Sequence, residues 1–161
     1  MYEKQLTKVK SLFGDEVLAL LSSAGCYLAG GAITSIFTNK EVNDLDIYFP
    51  SEESLLYVLD EMYNMKTYGD HLWVKCKSDK SISIHNNDGY PIQFIHFQYF
   101  PSIEEIFSTF DFTCVMAAYA LKTDTFSFHP DFLVHASQRY LKYNPNTAYP
   151  LISALRVNKY L

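Results

Sequence analysis

The stretch Cys26-Tyr27-Leu28-Ala29-Gly30-Gly31, followed after twelve intervening residues by Asp44-Leu45-Asp46-Ile47-Tyr48-Phe49, decides how the chain reads. Apolar residues run into the glycine pair and continue past the second carboxylate. That pattern predicts a strand over Tyr27 to Ala29 ending in a glycine turn, a short helix over Ala32 to Phe37, and a second strand over Leu45 to Phe49. Side chains two apart on a strand point to the same side, so Asp44 and Asp46 stand together while Leu45 turns into the core. Neighbouring carboxylates repel unless a cation sits between them, and hard oxygen donors suit Mg²⁺. A glycine pair at a helix start lets backbone N–H groups approach a phosphate. Together these parts predict a metal–nucleotide site.

Working outward, Glu3 to Ser23 carries apolar residues at near-helical spacing, with Gly14 dividing two helices and Gly25 ending the segment. Ser51 is the expected N-cap of a helix reaching about Tyr63. Strands are expected over Leu72 to Cys76, Ser81 to His85 and Ile92 to Phe100, the last two joined by the turn Asn86-Asn87-Asp88-Gly89. Pro101-Ser102 caps a helix through Phe107, Thr113 to Ala120 fits helix or strand, and Leu151 to Leu161 reads as a final helix. Helices alternating with strands predict an α/β (α+β) fold, one mixed sheet flanked by helices, in a single domain over residues 1–161.

Bulk properties narrow the function. With 161 residues, 48% hydrophobic and 19% charged, the chain can bury one full core and is no disordered tail. Its 13 Tyr and 12 Phe predict an aromatic interior. A net charge of −5 argues against strong duplex nucleic-acid binding. Cys26, Cys76 and Cys114 have no paired spacing and read as reduced, buried thiols of a cytoplasmic protein. The charged first ten residues do not form a secretory signal, and no apolar stretch reaches membrane-spanning length. The five histidines are dispersed, and Glu104-Glu105 sits where a helix dipole favours acids.

On Gly30-Gly31-Ala32-Ile33 and Asp44-Leu45-Asp46-Ile47 the chain resembles the DNA polymerase β-type nucleotidyltransferases, in particular the head domain of CCA-adding tRNA nucleotidyltransferases and poly(A) polymerases. Asp111-Phe112-Thr113 resembles the Asp-Phe-Thr segment of the same family, and Tyr149-Pro150-Leu151 through Arg156, Lys159 and Tyr160 resembles the helix closing that head. The resemblance implies transfer of NMP from an NTP by a two-metal mechanism with Mg²⁺ or Mn²⁺. It implies Asp44 and Asp46 as catalytic metal ligands and Gly30, Gly31 and Ser35 as nucleotide-binding residues. Asp111 either faces the nucleotide or caps a helix.

The chain departs from that pattern. Thr34 and Ser35 stand where the family often has Arg and Asp, and Thr109 and Phe110 replace two arginines. Gln93 falls where a third carboxylate is expected, and a neutral amide is a poorer Mg²⁺ ligand. The cations left to hold a triphosphate are Lys40, Lys122, Arg139, Arg156 and Lys159. The acceptor is open: a small molecule, a protein side chain, or an RNA end presented by a partner. The acidic balance, and a chain stopping at Leu161 without the family's further helical domains, argue against independent tRNA binding. The rival expectation is a catalytically degenerate nucleotidyltransferase serving as a nucleotide-binding or protein-interaction module.

Overall fold

A computed structural model of the chain describes residues 2–64, 72–86, 89–142, 144 and 157. Gly14 separates helices α1 (Glu3–Ser11) and α2 (Asp15–Ser23), as the periodicity predicts. Next come β1 (Tyr27–Ala29), α3 (Gly31–Phe37), β2 (Leu45–Tyr48) and α4 (Glu52–Asn64), where the Ser51 hydroxyl accepts from the Ser54 amide at 3.2 Å. Then follow β3 (Leu72–Lys77), β4 (Ser81–Asn86), β5 (Ile92–Ile95) and α5 (Ile103–Ser108), capped by Ser102. A 3₁₀ turn (Thr113–Val115), β6 (Ala117–Ala120), β7 (Thr125–Phe128) and α6 (Phe132–Gln138) complete the described elements. The turn at Asn87-Asp88 and the closing segment from Tyr149 lie outside the described residues, apart from Val157, which is helical.

The strands form one mixed seven-stranded sheet in the order β3-β4-β5-β2-β1-β6-β7, flanked by helices. Strand β2 runs parallel to β5 and antiparallel to β1. Alternation sorts the side chains. Leu28, Leu45, Ile47, Ile92, Phe94, Ala117 and Tyr119 face the main core with residues of α1 to α4. Ala29, Tyr48, Ile95 and Ala118 face the other way, into a smaller cluster closed by Phe100 and by Ile106 of α5. Asp46 and Gln93 share this second face.

Three expectations need correction. The strand from Ile92 ends at Ile95, because the amides of His96 and Phe97 both turn to the Lys80 carbonyl and that of Phe100 donates to Phe49 at 2.8 Å. Cys76 is exposed on the edge strand rather than buried, although all three cysteines are free as expected. Thr113 to Ala120 is neither helix nor strand throughout; its 3₁₀ turn passes into β6.

One polar contact ties α1 to the β6–β7 hairpin. The Asp124 carboxylate accepts from the buried Tyr119 hydroxyl and pairs with Lys10 Nζ at 2.7 Å. Partial desolvation pushes the Asp124 carboxyl up, but the Lys10 and Tyr119 hydrogen bonds and the Lys10 charge outweigh it, leaving it below its ordinary value. A carboxyl whose folded pKa is lowered stabilises above the unfolded pKa, about 4, and loses that contribution as pH falls through the folded value. Asp124→Asn, which keeps a residue tolerant of the left-handed backbone (φ 59°), therefore melts lower than the parent at neutral pH. Thermal melts across pH will show the two curves converging below about pH 4.

Candidate active site

Gly30 ends β1 at φ 90° and ψ −142°, a conformation essentially reserved for glycine. Its amide donates to the Ala117 carbonyl of β6, and its carbonyl accepts from Ile33 and Thr34, so the turn is fixed from both sides. Gly31 has ordinary dihedral angles, and a Cβ built on it meets nothing within 4 Å. The two glycines thus do different work: Gly30 supplies the turn, and Gly31 leaves open space at the start of α3. Gly30→Ala is expected to destabilise by roughly 1–3 kcal/mol. Gly31→Ala, free of that strain, should unfold at the same denaturant midpoint as the parent or slightly above it. Chemical unfolding of the two variants checks the contrast.

Asp44 lies just before β2 and is exposed; Asp46 lies within β2 and is half-buried, with Leu45 fully buried between them. Both carboxylates open on one cleft of about 470 Å³. Its lining also includes Gly31 and Ser35 of α3, Lys40 just beyond that helix, and Ser137 and Arg139 from α6 and its cap. The sheet register places Gln93 of β5 directly opposite Asp46. The amide thus stands on the sheet face where a third carboxylate is expected, and Ser83 and Cys76 extend the row to the sheet edge.

Asp111 is not among the lining residues. It is 4% exposed, and its carbonyl accepts from the Asn144 amide at 2.7 Å. The capping alternative fails, since the N-cap of the 3₁₀ turn is Phe112. Asp111 lies close enough to Cys114, a lining residue, for its charge to act on that thiol. Burial first, and the Asp111 charge second, push that thiol up to about 11, so it stays protonated at neutral pH and makes a poor nucleophile. Of the cations singled out in sequence, Lys40 and Arg139 line the cleft and Lys122 does not. Arg156 and Lys159 lie outside the described residues.

Sequence reasoning missed α6, which builds one wall. Its first buried residue, Phe132, stacks on Phe128 of β7 at 5.4 Å and meets Phe37 of α3 edge-on at 6.0 Å. The Thr113 hydroxyl and His135 Nδ1 are 2.6 Å apart, joining α6 to the 3₁₀ turn. Thr34 of α3 donates to the Cys114 carbonyl at 2.7 Å. The walls carrying Gly31, Cys114 and Arg139 are therefore linked to one another. The alternation Thr125-Phe126-Ser127-Phe128 and the Pro130-Asp131 helix start are the signals that point to this unit.

Among the described residues no group of three or more His, Cys, Asp or Glu is arranged around one metal position. Two carboxylates on one cleft nonetheless fit Mg²⁺, which commonly takes one or two protein carboxylates and fills its shell with water and substrate phosphate oxygens. Among the described residues no helix is long and apolar enough to cross a membrane.

The chain has a nucleotidyltransferase fold, shared with CCA-adding enzymes. The chain superimposes on the apo form of a CCA-adding enzyme with a TM-score of 0.65 at 12% identity, covering 94% of this chain and 37% of that one. It matches the Bacillus stearothermophilus CCA-adding enzyme in complex with CTP with a TM-score of 0.60 at 16% identity, covering 89% and 36%. The family model for Gabija anti-defense 2 (Gad2) family proteins matches residues 1–139, and the chain belongs to that family. It is 42% identical to "Gabija anti-defense 2" of Bacillus phage SPbetaL7 over 159 residues, 99% of this chain. The chain spans 38% of the length of that relative.

Proposed function

We propose that this Gad2 family domain binds a nucleoside triphosphate with Mg²⁺ and transfers its NMP unit to an acceptor, releasing pyrophosphate. The observation that carries the reading is the convergence of Asp44, Asp46, Gly31 and Ser35 on one cleft of the nucleotidyltransferase fold. Asp44 and Asp46 would hold the metal, which supplies charge neutralisation at the phosphates and a more acidic acceptor hydroxyl. The Ile33 and Thr34 amides are taken by the Gly30 carbonyl, so the Gly31 and Ala32 amides at the start of α3, with the Ser35 hydroxyl, would donate to nucleotide phosphates at the open space beside Gly31. Gly30 shapes the turn into α3, and buried Asp111 lies near the Cys114 wall. Positioning and charge compensation account for most of the rate in such chemistry, so few reactive side chains are needed.

The phage relative is named for countering the Gabija defence. We propose that this chain acts in the same process, with a protein of that system as the modified acceptor and the host cytoplasm as the site of action. A second reading rests on Gln93 opposite Asp46: with an amide in place of a third carboxylate, the domain binds the metal–nucleotide complex as an interaction module without turnover.

Incubation of the protein and defence-system proteins with each α-labelled NTP and Mg²⁺ separates the readings. Turnover predicts label on an acceptor, abolished by Asp44→Asn and by Asp46→Asn. Metal-dependent NTP binding without label transfer selects the second reading. Label undiminished in both variants removes the acids from the chemistry.

A further inference from the structure

The C-terminal cap of α6 holds a residue whose conformation its own backbone does not favour. Arg139 adopts left-handed dihedral angles, φ 55° and ψ 37°. Helices prefer glycine there, or asparagine, because a Cβ crowds the backbone in that region. The end of α3 follows the preference: Asn39, at φ 57°, takes the same conformation, and the next amide, Lys40, donates to the Ser35 carbonyl at 2.8 Å. At the end of α6 the matching bond runs from the Tyr140 amide to the His135 carbonyl at 2.8 Å, yet the left-handed residue is an arginine.

The turn is rigid. His135 bonds Thr113, its ring packs on Tyr140 with centroids 4.8 Å apart, and the Thr113 amide donates to the Lys142 carbonyl. Non-glycine residues held in such conformations by their surroundings gather at functional sites. Arg139 lines the cleft and, among the described residues, has no carboxylate partner. Among the described residues, the lining acids are Glu41, Asp44 and Asp46, and the lining cations are Lys40 and Arg139. A cleft with that balance needs its cations to accept a polyanion, and the family's arginines are absent at their usual positions.

We propose that Arg139 is a polyphosphate-reading residue: its guanidinium, assisted by Lys40, engages the β- and γ-phosphates and selects nucleoside triphosphates over monophosphates. Planar, permanently charged guanidinium groups pair bidentately with phosphate oxygens, which suits this role better than an ammonium does. The inference rests on the proposed nucleotide-binding reading and assigns the specificity within it.

Calorimetric titration with Mg²⁺ and each of the four NTPs, then with the monophosphate of the tightest binder, tests it on the parent, Arg139→Gly, Arg139→Asn and Asp46→Asn. Both Arg139 variants are expected to lose roughly tenfold to a hundredfold in triphosphate affinity, to bind the monophosphate like the parent, and to melt at or above the parent temperature. Arginine variants that keep triphosphate affinity while Asp46→Asn loses it overturn the assignment and leave the nucleotide reading standing. Equal losses toward mono- and triphosphate, or a lowered melting temperature in both variants, mark Arg139 as structural and also overturn it. A parent that binds no NTP removes both readings.

Discussion

Asp46→Asn is expected to reduce nucleotidyl transfer by roughly a hundredfold to a thousandfold, the scale set by removing one group that compensates charge during the reaction. The substitution is nearly isosteric, and residue 46 is half-buried opposite Gln93, so the pairing of β2 with β5 survives. The amide keeps the shape and much of the hydrogen-bonding capacity of the position, so the melting temperature changes little. The expected signature is thus divergence: activity collapses while stability holds. Label-transfer rates and thermal melts on the same preparation read both, and a parallel fall in the two would turn the result into one about folding. Gly31→Ala belongs to the same logic. Its Cβ enters the open space at the helix start, so nucleotide affinity drops without a loss of stability.

Phe132→Ala is expected to have the largest effect on stability. Phe132 is 0% exposed, stacked on Phe128 and edge-on to Phe37. Truncating a fully buried phenylalanine costs roughly 3–5 kcal/mol, because the cavity adds to the lost transfer energy. Against a total stability of about 5–15 kcal/mol, that removes a large share. A drop in melting temperature on the order of 10 °C follows for a chain of this size. The function suffers with it. Phe132 anchors α6, and α6 carries Ala136, Ser137 and the cap at Arg139 into the cleft. Phe132→Leu, which refills much of the volume, should recover most of the stability. A melting temperature for Phe132→Ala within two or three degrees of the parent would show that the aromatic cluster does not hold this wall.

The decisive segment was legible because its signals are local. Tyr27 to Ala29 ends at Gly30, and Leu45-Asp46-Ile47 alternates, so faces follow from a period of two. Likeness to a family pattern puts Gln93 at the position of a third carboxylate, and the β2–β5 register sets it beside Asp46. The other wall carries only faint signals. Strand β7 is four residues long and α6 seven, too short for periodicity to rise above composition. The run from His96 to Phe100 kept an apolar character but left the sheet, since its amides are drawn to Lys80 and Phe49 across the chain. Arg139 was visible only as one cation among five. Its left-handed backbone is set by tertiary contacts of His135 and Thr113 that no neighbouring residue announces.

In the proposed function, Asp44 and Asp46 hold a divalent cation beside a glycine-shaped phosphate site. Crystals grown with Mn²⁺ and a non-hydrolysable NTP test it most directly, because anomalous scattering locates the ion independently of the protein. The expected result is a peak within bonding distance of both carboxylates, with nucleotide phosphates on the ion and beside Gly31. An ordered nucleotide bound elsewhere, or an ion that avoids both carboxylates, would contradict it.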